Sequence, residues 1–141
     1  MVLVVPNASE VELLKRMLQF SPTLLRLYQN DATPTAGSSL SSFQELTFTG
    51  YTEITCNPAN WTVTANTSTG AAVATYAAET FTFSAATAGN TVYGYYVVDN
   101  NPTPTVMWAE RFTPSAPFNI PAAGGNLVIN LSISLENLLT S

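Results

Sequence analysis

The sequence predicts a mainly β fold, an antiparallel β-sandwich or jelly roll preceded by one short N-terminal α-helix. Three observations lead to that expectation. Leu127, Ile129, Leu131, Ile133 and Leu135 alternate strictly with Val128, Asn130, Ser132 and Ser134, the period of a strand with one buried face. The run from Asn90 to Asp99, centred on Val92-Tyr93-Gly94-Tyr95-Tyr96-Val97-Val98, holds β-formers on both faces and suits a strand in the middle of a sandwich or at an interface. Turn residues punctuate the chain at spacings of about ten residues, as in all-β sandwiches.

Taken in order, the chain opens with an apolar arm over residues 1–8, in which Val2, Leu3, Val4 and Val5 precede Pro6. A helix is expected over 9–20. Asn7 or Ser9 can cap it, and Ser9 with Glu12 has the spacing of a capping box. Val11, Leu14, Met17 and Leu18 share one face, with Lys15 and Arg16 opposite. Pro22 then breaks the pattern near Phe20-Ser21. So short a helix must lie against something to be stable.

From 23 to 141 a single β-sandwich domain is expected, of about eight short strands. Leu24 to Tyr28 reads as the first strand, and Asn30 to Ser38 as a loop dense in turn residues. Phe43 to Thr49 alternates, with Leu46 and Phe48 on one side, and Gly50 marks a turn or bulge. Tyr51–Thr55 and Trp61–Ala65 flank the turn Asn57-Pro58-Ala59-Asn60. Glu79 to Ser84 places Phe81 and Phe83 on one face, with Thr80 and Thr82 on the other. Asp99-Asn100-Asn101-Pro102 turns the chain into a strand over Thr105–Phe112.

Length and charge bound the function. A chain of 141 residues fits one domain with a sizeable core, and its single Cys56 allows no internal disulfide. Only 9% of residues are charged, against roughly 25% in ordinary globular proteins. The four cations Lys15, Arg16, Arg26 and Arg111 cannot build a phosphate-binding patch, so no nucleic-acid partner is expected. No run is long enough to span a bilayer, so no membrane partner is expected either. Four Asn-x-Ser/Thr triplets, at Asn7, Asn60, Asn66 and Asn130, match what chance gives in so Asn-, Ser- and Thr-rich a chain. A surface this poor in charge suits burial against copies of itself or a larger assembly, because interface cores are depleted in charge.

The residues for catalysis are missing. The chain has no histidine, which removes the usual triads, most zinc sites and the commonest general base. Cys56 therefore lacks the usual activating base and reads as a small core residue. Glu45 and Glu53 flank the Gly50 turn and can approach one another, but nothing selects a glycosidase pair. Glu110 and Arg111, adjacent on a strand, point to opposite faces, and one that faces inward needs a partner. Asp99 with its asparagines reads as a turn rather than a calcium loop. The expectation is a protein that is not an enzyme, with no cofactor and no metal.

Val92-Tyr93-Gly94-Tyr95-Tyr96-Val97-Val98-Asp99, Trp108-Ala109-Glu110-Arg111-Phe112 and the closing alternating strand together resemble small tailed-bacteriophage virion proteins. Leu25-Arg26-Leu27-Tyr28-Gln29-Asn30 with Thr33-Pro34, and Phe48-Thr49-Gly50-Tyr51, fit the same pattern. The resemblance covers most of the chain from about Leu24 onward. It implies a structural protein of the capsid decoration, or cement, type. Such a protein would be homotrimeric, made in the host cytoplasm and seated on the outer capsid surface, with the major capsid protein as partner. Interface candidates are Val2, Leu3, Val4, Val5, Tyr93, Tyr95, Trp108 and Arg111. The arm could add a strand to a neighbour, or cover its own domain's core. The alternative is a tail-fibre or receptor-binding domain for host surface carbohydrate, with Trp61, Trp108 and Tyr96 as its stacking rings.

Overall fold

A computed structural model describes residues 5–66, 71–113 and 117–135. The fold is mainly β and sandwich-like, with antiparallel pairing throughout and one α-helix. Where the sequence suggests one domain over 23–141, contacts divide the chain into two compact, interleaved units. The first holds Met1–Pro22, Asn57–Ala78 and Asn130–Ser141, and the second holds Thr23–Cys56 and Glu79–Ile129.

In the first unit, helix α1 (Asn7–Leu18) lies against β3 (Thr62–Ala65) and β4 (Ala72–Thr75), and β11 (Ser132–Leu135) pairs with the far side of β4. Leu14 and Leu18 are sealed in the core, as are the small Ala72 and Ala74, which allow close packing. Val11 and Met17 are only half-buried, and Glu10 takes a buried position on the helix. The helix starts earlier than its capping box suggests. Pro6 is the N-cap and no side chain caps the end, so Ser9 sits inside the first turn with its N–H donating to Pro6 O. Glu12 instead pairs with Lys15 at 2.9 Å. Trp61 packs on Tyr76, and the Tyr76 hydroxyl accepts the Asn57 N–H at 2.8 Å.

The second unit is built on a four-stranded sheet in the order β2 (Ile54–Cys56), β1 (Thr23–Tyr28), β7 (Gly94–Asp99), β8 (Val106–Arg111). Two ribbons accompany it, β10 (Gly125–Ile129) with β5 (Glu79–Phe83), and β6 (Asn90–Val92) with β9 (Phe118–Ile120). β1 and β7 are central, which explains why Leu24, Leu25, Leu27, Tyr28 and Tyr95 to Val98 are all buried. In β5 the expected faces hold: Phe81 and Phe83 are buried while Thr80 and Thr82 are exposed. Phe43 stacks on Tyr96 and packs against Tyr28, forming a cluster with Leu24 and Val98.

Three strand expectations need correction. Phe43–Thr49 is not a strand: its backbone pairing with the end of β1 is confined to Gln29 N–H to Gln44 O and Leu46 N–H to Leu27 O. On either side of it side chains take over, Gln44 N–H donating to Asn30 Oδ1 and Thr47 N–H to Gln29 Oε1. Only Glu45 bridges to Tyr28, and the buried residues there are Phe43 and Leu46, three apart. Asn90–Asp99 splits at Tyr93, with β6 pairing to β9 and β7 to β1 and β8. Residues 127–135 likewise form two strands with different partners, β10 on β5 and β11 on β4. Ile129 and Leu131 are buried there, while Leu127, Ile133 and Leu135 are half-buried. The alternation continues across the break, so the change of partner leaves no mark in the sequence.

Candidate interaction surface

β8 is an edge strand: among the described residues it pairs with β7 on one side only. Its register gives its outer side. Phe112 N–H donates to Tyr93 O at 2.9 Å, and Gly94 stands opposite Arg111, Tyr95 opposite Glu110 and Tyr96 opposite Ala109. Hydrogen-bonded and non-bonded pairs alternate in an antiparallel ladder, so Ala109 and Arg111 direct their N–H and C=O groups away from β7. The register shifts between Val97 and Val98, where the strand carries an irregularity.

The loop from Asn30 to Ser42 borders this strand. Arg111 secures it, pairing with Asp31 and donating to Thr33 Oγ1 at 3.0 Å. The guanidinium also lies 5.8 Å from the centre of the Tyr93 ring. Tyr28 Oη donates to Ala32 O at 3.3 Å, and Ala32 and Leu40 pack on the buried aromatic cluster. Two adjoining grooves result. One of about 430 Å³ is lined by Pro34, Thr35, Ala36 and Ser38 with Val106 to Ala109. The other, of about 420 Å³, runs on past Ser39, Leu40, Ser41, Pro104 and Thr105. Neither is lined by an ionisable side chain.

The sequence-based candidates separate clearly. Trp108 lines the first groove and is half-buried. Tyr93 and Arg111 meet at the end of the same strand. Tyr95 belongs inside: it is 3% exposed and its hydroxyl donates to Glu110 Oε2 at 2.6 Å. That bond gives Glu110 its partner, as Asp31 and Thr33 do for Arg111. Val5 is half-buried, whereas Val2, Leu3 and Val4 lie outside the described residues. Among the carbohydrate candidates, Trp61 and Tyr96 are buried and offer no ring face for stacking. Trp108 alone retains some exposure, so the three do not form a sugar platform.

Sequence reasoning missed the role of Arg26. Its Nε sits 2.6 Å from Glu53 Oε2 and its Nη1 3.6 Å from Glu45 Oε2. Tyr51 Oη donates to Glu45 Oε1 at 3.0 Å. The two acids flanking the Gly50 turn therefore converge on one guanidinium. Burial opposes the Arg26 charge, but the bond to Glu53 and the two carboxylates hold its pKa above the ordinary value. The acids are more than one-third exposed, so Arg26→Met is expected to cost only about 1–2 kcal/mol. Chemical denaturation would measure this, and adding Glu53→Gln should recover part of the loss.

Among the described residues no three His, Cys, Asp or Glu side chains come together to hold a metal ion, and no helix is long and apolar enough to cross a membrane. Comparison with protein-family models, curated proteins and solved structures finds no match.

Proposed function

We propose that this chain is a virion structural protein of the capsid decoration type, non-catalytic and homotrimeric. It binds the major capsid protein at joints between capsid subunits on the outer surface and stabilises the shell. The observation that carries this reading is the β8 edge with its bordering grooves. The two adjoining grooves, of about 430 and 420 Å³, are lined by no ionisable side chain among the described residues. The strand's two charged residues, Glu110 and Arg111, lie at its far end and are already bonded to Tyr95 and Asp31. An uncharged lining is the composition expected at the core of an interface. Charge is scarce elsewhere too, since three of the four cations, Lys15, Arg26 and Arg111, stand in ion pairs. Phe20 and Leu13, at 89% and 53% exposure, add apolar surface to the first unit.

Such a protein works by repetition. Each contact is weak, but symmetry engages several at once and their effects combine through avidity. The first test is the native mass of the purified protein by sedimentation. A trimer that persists on dilution is expected; a monomer at high concentration would remove the argument from low charge. Incubation with shells assembled from the major capsid protein should then give saturable binding and a higher shell melting temperature. Binding to a glycan array without binding to shells would favour the receptor-binding reading.

A further inference from the structure

We infer that the outer edge of β8, which pairs with no further strand among the described residues, receives the apolar arm, Val2 to Val5, of a second copy of this chain as an added strand. The inference rests on the proposed self-assembly and names its contact. Four observations support it. First, β8 is a six-residue edge strand with Ala109 and Arg111 directing backbone donors and acceptors outward. Exposed edges of this length are normally covered or blocked by charge or proline. Val106 to Ala109 carry neither, and the charges that follow are taken up by the chain itself, Glu110 by Tyr95 and Arg111 by Asp31 and Thr33.

Second, the groove beside the edge has room for a chain and is lined by Pro34, Ala36, Val106, Met107 and Trp108 with two hydroxyl residues, a surface without charge. Third, Val2-Leu3-Val4-Val5 is made of β-branched and aliphatic residues and likewise carries no side-chain charge. An occupant with a lysine or glutamate would have to desolvate it there without a partner. Fourth, the backbone at the base of the arm is extended. Pro6 has φ −61° and ψ 143°, so α1 is entered from an extended chain. Strand addition supplies main-chain hydrogen bonds for affinity and side-chain pockets for selectivity.

An arm from one copy on the edge of the next is a head-to-tail contact, and such contacts close into rings when the rotation allows. The arm and the edge are separate parts of the chain, so each can be removed alone. Deleting residues 2–5 leaves the edge without an arm. Ala109→Pro leaves the arm without an edge: its N–H faces away from β7, so proline there removes no β7–β8 hydrogen bond. Met107→Lys, which places a charge on the edge, serves as a second edge variant should the proline disturb folding.

Sedimentation of the full-length protein and these variants provides the test. Wild type should assemble, while the deletion and the edge variants should each weaken assembly by about tenfold or more in Kd, roughly 1.4 kcal/mol. An equimolar mixture of the deletion variant and an edge variant should form a heterodimer, because one intact arm then meets one intact edge. If wild type assembles and the folded variants assemble equally well, the arm-to-edge contact is wrong and the self-assembly reading stands. If the variants weaken assembly but the mixture forms no heterodimer, the contact is again wrong. A monomeric wild type overturns both.

Discussion

Replacing Gly94 with alanine is expected to destabilise the second unit by about 3 kcal/mol or more, at the upper end of the range for overpacking. Gly94 is the first residue of β7, with Tyr28 opposite it on β1 and Arg111 on β8. A Cβ at this position would fall 2.5 Å from Tyr28 Oη and 2.7 Å from its Cζ, and closer still to the carbonyl oxygen of Glu110. None of the three can move freely. Tyr28 is fully buried and packed on Phe43 and Tyr96, and the carbonyl belongs to the β8 ladder. Removing the tyrosine hydroxyl with Tyr28→Phe should rescue the alanine variant only in part, because Cζ and the carbonyl remain in the way. Gly37→Ala makes a suitable control: the nearest atom to its Cβ is Thr35 Oγ1 at 4.0 Å, and the change should be close to neutral. Urea denaturation of these variants would decide the matter. A Gly94→Ala protein as stable as wild type would mean that β1, β7 and β8 are not held this closely.

Gly94 also shows where sequence reading stops. The residues from Asn90 to Asp99 form a convincing run of β-formers, and β propensity has no term for the partner a strand chooses. The run is cut at Tyr93, whose N–H donates to Tyr28 O while its C=O accepts from Phe112 N–H, and β7 begins at Gly94, where a side chain would meet Tyr28. The closing alternation had the same limit. The period of two was legible and the inward-facing residues are the ones expected, yet the strand changes partner at Asn130-Leu131 without breaking its pattern. The Phe43–Thr49 segment failed for a different reason. Two of its backbone donors, those of Gln44 and Thr47, go to the Asn30 and Gln29 side chains, and pattern rules do not anticipate side chains standing in for part of a strand.

The interaction surface was legible in part. Trp108, drawn from the aromatic residues, and Arg111, from its need of a partner if it faces inward, both border or secure the groove. Tyr95, Tyr96 and Trp61 were drawn from the same aromatic signal but are buried, because an aromatic residue on a central strand and one on an edge look alike in sequence. Low charge pointed to an interface without locating it. The location follows from topology, since only the strand order identifies β8 as an edge. Arg26 was hidden because its partners lie 19 and 27 residues away, as Glu45 and Glu53, in a segment with no regular structure.

The protein should be stable to about pH 9 and then unfold cooperatively as the pH rises toward 12. Five groups direct this outcome, four of them buried and the fifth, Tyr51, half-buried. Burial raises the Cys56 thiol from 9.0 to about 11 and the Tyr28 phenol from 10.0 to about 12. Burial also raises Tyr51, Tyr95 and Tyr96 above the ordinary phenol value. Tyr95 and Tyr51 donate to carboxylates of Glu110 and Glu45, which further disfavours their phenolates. In each case the folded chain holds its proton to a higher pH than the unfolded chain does. Between the two pKa values the native state binds more protons, so stability falls as pH rises. The contribution is fully present below the unfolded values of 9.0 and 10.0 and is lost as pH climbs through the folded ones. Phenolate absorbance should therefore appear together with the loss of the β signal in circular dichroism, and alkylation of Cys56 should become fast over the same interval. Tyr95→Phe removes one of the five groups and should make the alkaline fall less steep. If most of the tyrosines ionise near 10 while the β signal stays intact, the phenols of β1 and β7 are open to water and the core described here is wrong.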